Sequence, residues 1–180
     1  PGLLIRLGRT AAALAAGAVT LTALILLAAE APAVLAGGVV KAQIDWLPAL
    51  GLNANFFLDG LSLLFAGLIL GMGLLVILYA RFYLSDGDPL GRFYGFLLMF
   101  QGAMLGIVLS DNILLLLIFW ELTSLTSFLL IGFWKDRAES RQGARMALAV
   151  TGGGGLCLIA GMLILGQAAG GQSPPPPVTA

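Results

Sequence analysis

Five long apolar runs dominate the sequence, and each has roughly the 20 residues that a helix needs to cross a bilayer core of about 30 Å. Only 10% of the 180 residues are charged, 59% are hydrophobic, and the mean hydropathy is +1.02. A soluble domain has about a quarter of its residues charged. We therefore predict an all-α fold, a polytopic transmembrane bundle of about five spanning helices. The predicted helices cover residues 10–29, 60–80, 93–110, 112–134 and 146–166.

The remaining segments are short, apart from residues 30–59, which contain Pro32, Pro48 and several glycines. This composition is typical of turns, and it predicts an irregular extramembrane loop. Residues 167–180 form a Gly/Pro-rich tail that cannot continue a helix. Because the chain begins with Pro1 and ends in this tail, we expect a piece of a longer polypeptide with a single membrane domain.

The basic residues predict the orientation of the bundle. With alternating helices, eight of the nine lysines and arginines lie on one side, and Lys41 alone lies on the other. Short cytoplasmic loops are enriched in lysine and arginine. We therefore expect a multi-pass membrane protein in which the residue 1 end and the loops around residues 81–92 and 135–145 are cytoplasmic.

Several function classes lack support in the residues. The chain has no histidine and a single cysteine, Cys157, so we expect no metal site, no cofactor and no enzymatic nucleophile. The net charge is zero, and the basic residues stand in small clusters between apolar runs, which does not favour nucleic acid as a partner. The expected partners are the lipid bilayer and other membrane proteins.

Glu121 is the exception in the fourth apolar run, "LLLLIFWELTSLTSFLLIGFW". It is the tenth residue of the predicted helix, about 14 Å from its outer end and near the bilayer midplane. A charged acid at that depth costs at least about 2.5 kcal/mol, so the carboxyl is either protonated or faces a basic partner or a hydrated cavity. We predict that Glu121 takes part in proton translocation. The alternative is a neutral, hydrogen-bonded group in a helix interface.

Three further residues are candidates to support Glu121. Ser124 is the one polar side chain on the helix face of Glu121, which also includes Leu114, Leu117 and Ile118. Lys135 would serve as a cytoplasmic end of a relay, although the loop around it is also typical of a membrane anchor. Asp111, like Asp59, precedes an apolar run and is expected to cap a helix.

Glycines in the last two thirds of the chain suggest close helix contacts. The pairs Gly67/Gly71 and Gly102/Gly106 have the small-xxx-small spacing of packed membrane helices. The run 152–155 consists of four glycines, each costing about 1 kcal/mol relative to alanine in a helix. Either a neighbour packs tightly against this run or the helix breaks there.

The segments "FFLDGLSLLFAGLI", "SDNILLLLIFWELTSLTSFLLIGFW" and "KDRAESRQGARMALAVTGGGG" resemble the N-terminal part of the A subunit of Mrp-type multisubunit Na⁺/H⁺ antiporters. Antiporter-like subunits of complex I and of membrane-bound hydrogenases are similar. The resemblance implies a part of a larger antiporter-like fold in the plasma membrane of a prokaryote, partner membrane subunits, and H⁺ and a monovalent cation as transported ions. It also implies that Glu121 pairs with a lysine on a later helix, beyond residue 180.

Three hypotheses follow for the function. The first is a subunit of a monovalent cation/proton (Na⁺/H⁺) antiporter, with proton translocation through a mid-membrane glutamate relay. The second is a proton-pumping, antiporter-like subunit of complex I or of a membrane-bound hydrogenase. The third is a structural membrane scaffold subunit, in which Glu121 only forms an interhelical hydrogen bond.

Overall fold

The computed structural model describes residues 2–47, 52–85 and 88–170. Within these ranges, five helices each contain a stretch that is long and apolar enough to cross a membrane, which confirms the predicted bundle of spanning helices. A two-stranded sheet lies between the first two helices. The elements are α1 (Gly2–Leu35), β1 (Val40–Leu47), β2 (Leu52–Leu58), α2 (Gly60–Tyr83), α3 (Leu90–Leu109), α4 (Ile113–Ile131) and α5 (Ala138–Gly170).

Two helices are longer than their apolar runs. Helix α1 continues to Leu35, past Pro32, and α5 begins at Ala138, eight residues before the predicted start at residue 146. The added first turns of α5 contain Ala138, Glu139 and Arg141, which are good helix formers although they are not all apolar. A hydropathy criterion therefore detects the membrane-crossing part of such a helix and misses its polar extension.

The interpretation of residues 30–59 as an irregular loop was wrong, because β1 and β2 form an antiparallel hairpin there. In β1, "VKAQIDWL", apolar and polar residues alternate, and this period of two is the pattern of a strand. Val40 pairs with Leu58 and Ala42 with Phe56. The hairpin contacts the turn between α3 and α4, where the backbone N–H of Asp111 donates to the carbonyl of Asn55 at 2.9 Å.

The starts of α2 and α4 are capped by side chains. Asp59 caps α2 as predicted, accepting a hydrogen bond from the Ser62 backbone N–H at 2.8 Å, which lowers the pKa of the Asp59 carboxyl. The predicted capping role of Asp111 was wrong. Asn112 is the cap of α4, and its side-chain oxygen accepts from the N–H of Leu114 at 2.9 Å.

Aromatic residues gather at the opposite end of the bundle from the hairpin. The ring of Phe93 lies 5.3 Å from that of Phe133, and Tyr83 lies 6.5 Å from Trp134. The indole N–H of Trp134 donates to Asp88 at 3.1 Å. The loops that follow α2 and α4 are therefore held together at one end, which is also the end with most of the basic side chains.

Candidate functional site

Glu121 is the ninth residue of the 19-residue helix α4. At 1.5 Å per residue it lies about 12 Å from the start of the helix and about 15 Å from its end. The carboxyl is therefore near the middle of a helix whose length matches a bilayer core. Helix α5 packs along α4 over this region.

Gly155 of α5 lies directly against the Glu121 carboxyl. A Cβ atom at position 155 would overlap Oε1 of Glu121, so a larger residue would force the carboxyl to move. Gly155 is buried, whereas Gly152, Gly153 and Gly154 have open space where a Cβ would stand. Helix α5 continues through all four glycines, so the helix does not break there. The glycine run instead allows a neighbour to pack tightly, and it does so at Gly155.

The carboxyl oxygen that faces Gly155 has no hydrogen-bond partner. Oε1 of Glu121 is buried, and no group in the described parts of the chain donates to it. Leaving a buried polar atom unpaired costs free energy, and leaving a buried charge unpaired costs much more. Oε1 is therefore available to a donor from outside these residues.

One side of Glu121 opens on an apolar groove of about 450 Å³. Leu114, Leu117 and Ile118 of the predicted helix face line it, and Ile159 of α5 forms the other wall. The carboxyl is thus the polar group of an otherwise hydrocarbon-lined groove.

The hydroxyl groups near Glu121 bond to their own helix. Ser124 is buried, and its Oγ donates to the carbonyl of Trp120 at 3.3 Å, as does Thr123 at 2.7 Å. No hydrogen bond joins Ser124 to Oε1 of Glu121 within the described residues. Such backbone bonding is usual for serine and threonine inside helices. Ser124 instead lines a separate cavity of about 330 Å³ together with Ser127 and Thr151.

The other two candidate supporting residues lie away from Glu121. Lys135 is exposed in the loop after α4, where it lines a cavity with Arg92, Arg141 and Arg145. Asp111 is exposed beside the hairpin, two residues before the start of α4, and this start lies about 12 Å from Glu121 along the helix axis. The structure brings neither side chain to the Glu121 carboxyl.

Sequence reasoning missed Gly155 and Thr151, although the run of four glycines pointed to this part of α5. The small-xxx-small pairs were poorer guides. Gly67, Gly71 and Gly102 have nothing within 4 Å of the point where a Cβ would stand, while Gly106 lies against the ring of Phe119.

Among the described residues, no three His, Cys, Asp or Glu side chains are grouped as a metal site.

Two protein families match the chain. Residues 46–94 match the family described as NADH-Ubiquinone oxidoreductase (complex I), chain 5 N-terminus. Residues 110–173 match the family described as NADH:quinone oxidoreductase/Mrp antiporter, TM. The second match includes Glu121, Gly155 and the helices that carry them.

Relatives of this chain are subunits of cation/proton antiporters. The A/B subunit of a probable K(+)/H(+) antiporter of Rhizobium meliloti is 51% identical over 84% of this chain and 15% of its own length. The A1 subunit of a Na(+)/H(+) antiporter of Staphylococcus aureus is 51% identical over 73% of this chain and 16% of its own length. The chain therefore spans about a sixth of the length of these relatives.

A solved structure has the same fold. A chain in the structure of the Mrp complex from Dietzia sp. DQ12-45-1b superposes with a TM-score of 0.71 at 36% sequence identity, over 88% of this chain and 17% of that one. Five apolar helices and these relatives identify a multi-pass integral membrane protein. The chain belongs to the antiporter-like family shared by complex I and the Mrp antiporters, and it is similar to a part of the A subunits of these antiporters.

Proposed function

We propose that the chain is part of a subunit of a multisubunit monovalent cation/proton antiporter and that Glu121 carries a proton across the middle of the membrane. The names of the relatives support antiport of Na⁺ or K⁺ against H⁺. The observation that carries the role of Glu121 is its buried, unpartnered Oε1 at mid-helix. Because Oε1 makes no hydrogen bond within the described parts of the chain, gaining or losing a proton there would break none of their contacts.

The proton carrier needs a basic partner when it is charged. Lys135 is 14 residues beyond Glu121, about 20 Å along a helix, so it is too far for direct pairing. We assign the partner role to a lysine from another helix of the full-length antiporter protein, and we place the basic loop end of the bundle on the cytoplasmic side. Proton transfer would then couple to making and breaking of this ion pair.

Cation-driven proton movement in everted vesicles tests the proposal, with the full-length protein in its complete complex. Glu121→Gln should abolish exchange, because an amide cannot release a proton, while the complex still assembles. Glu121→Asp should retain part of the activity. Glu139→Gln removes an exposed carboxyl from the first turn of α5 and serves as the matched control. Unchanged exchange in Glu121→Gln would refute the proposal.

Redox-driven pumping is a second candidate function, favoured by the complex I family match of residues 46–94. In that case proton movement would require electron transfer to a quinone. Vesicles energised by ATP alone would then show no cation-dependent exchange, whereas an antiporter would remain active. A purely structural role predicts a third pattern, in which Glu121→Gln is silent and Glu121→Leu impairs assembly.

A further inference from the structure

Four basic side chains line one cavity of about 470 Å³ at the loop end of the bundle. Arg92 comes from the first turn of α3, Lys135 from the loop after α4, and Arg141 and Arg145 from the start of α5. Among the described residues, no acidic side chain lines the cavity. Its size suits the polar part of a lipid or another small molecule.

Three of the four cations are held by neutral groups. The Arg92 guanidinium donates to the carbonyl of Phe133 at 3.1 Å, and it lies 5.5 Å from the centre of that ring. Arg141 donates to the carbonyl of Lys135, and Arg145 to that of Arg141 at 3.2 Å. In the described part of the chain, no carboxylate forms an ion pair with any of the four.

Arg92 also has an unused donor. Its Nε is buried and has no hydrogen-bond partner among the described residues. A buried guanidinium donor without an acceptor is costly, and anions with several oxygens are the usual partners of such a group. The cavity therefore combines four positive charges with a buried donor that has no acceptor.

We propose that this cavity binds the phosphate headgroup of an anionic phospholipid. The deeper wall is formed by Phe96, Phe128 and Leu129, which offer an apolar surface to the acyl chains next to the charged rim. Aromatic residues surround the same end of the bundle, as they do at the headgroup level of a membrane. Basic pockets between membrane helices bind anionic headgroups in this way.

The test measures lipid bound to the complete, purified complex by native mass spectrometry during titration with phosphatidylglycerol in detergent. Phosphatidylcholine and inorganic phosphate are the comparison ligands. Phosphatidylglycerol should bind preferentially, and Arg92→Gln and Arg145→Gln should each weaken its binding about fivefold, the effect of one cation near a membrane surface. Arg145→Gln affects an exposed residue and keeps the test valid if Arg92→Gln fails to assemble.

Arg137→Gln is the matched control, because Arg137 belongs to the same loop but stacks on Trp134 and does not line the cavity. It should change the affinity by less than about twofold, since its charge lies outside the cavity. An equal loss in Arg137→Gln would mean that only the general surface charge matters. Competition by inorganic phosphate at the same concentration would assign the site to free anions, and no bound phosphatidylglycerol would mean that another group occupies the cavity. Each of these three results overturns the proposal.

Discussion

Gln101 of α3 and Glu121 of α4 are both polar residues of membrane helices that lie against a glycine of a neighbouring helix. The Gln101 amide lies against Gly73, and it has partners on two helices: it donates to the carbonyl of Ile69 at 3.4 Å and accepts from Thr20 at 3.3 Å. Glu121 lies against Gly155, and its buried Oε1 has no partner among the described residues.

The difference distinguishes a polar group whose hydrogen bonds are made within the bundle from one that can still accept a hydrogen bond. Helices α1, α2 and α3 satisfy the Gln101 amide among themselves, so that site can stabilise the bundle without any further partner. Helices α4 and α5 bring a carboxyl to the same kind of glycine contact and leave one oxygen unsatisfied. Under the proposed function, a proton or a basic group from the rest of the antiporter completes it.

Among the variants that leave Glu121 itself unchanged, the largest expected effect is at Gly155. A leucine there would occupy the position of the Glu121 carboxyl, and displacement of a reactive group by about 1 Å can cost roughly 100-fold in rate. We expect Gly155→Leu to reduce cation/proton exchange by about that factor. Exchange in everted vesicles and the amount of assembled complex are the measurements.

Gly153→Leu is the control for this variant, because Gly153 is exposed and has open space at its Cβ position. It should leave exchange near the wild-type level. Equal losses of exchange in both variants would show that the glycine run serves helix flexibility. The contact of Gly155 with Glu121 would then not distinguish this site from that of Gln101.

An intermediate effect is expected at Gly73, where a leucine would displace the Gln101 amide from its partners. Overpacking of a filled interior costs about 1 to 3 kcal/mol. Gly73→Leu should therefore lower the melting temperature of the purified complex, while exchange per assembled complex stays near normal. Gly71→Leu, on the same helix with nothing near its Cβ position, is the control. Loss of exchange without loss of stability would indicate that Gln101 takes part in transport.

The smallest effect concerns the start of α4, which sets the depth of Glu121. Asn112→Ala removes the oxygen that caps this helix and should cost about 1 kcal/mol of stability. Asp111→Ala should have little effect, because the hydrogen bond of Asp111 to Asn55 uses its backbone N–H. Thermal unfolding of the two variants side by side checks this order, and a reversed order would restore the capping role of Asp111.

The sequence was sufficient for the spanning helices, because the bilayer imposes a length and an apolar composition that a short window detects. It also placed Glu121 in the middle of its helix. The hairpin was not predicted, although apolar and polar residues alternate in β1. Pro48 and the neighbouring glycines are typical of turns, and they favoured a loop. Turn residues mark where a strand ends, and they do not exclude strands on either side.

The contacts of Glu121 could not be read from the sequence in the same way. Which of four consecutive glycines faces the carboxyl depends on the rotation of α5 against α4, and that rotation is set by packing along both helices. Ser124 shows the same limit: helical spacing grouped it with Glu121, but its hydroxyl bonds to Trp120 one turn back and it lines a separate cavity. The spacing of residues along a helix predicts which side chains share a face. Their contacts with other helices depend on tertiary packing.

The central claim is that Glu121 binds and releases a proton in the membrane. Infrared difference spectroscopy of the complete complex between acidic and alkaline pH measures this directly, through the C=O stretch of a protonated carboxyl. We predict a buried-carboxyl band that disappears on deprotonation in the wild type and is missing in Glu121→Gln. A band that persists unchanged in Glu121→Gln would contradict the account.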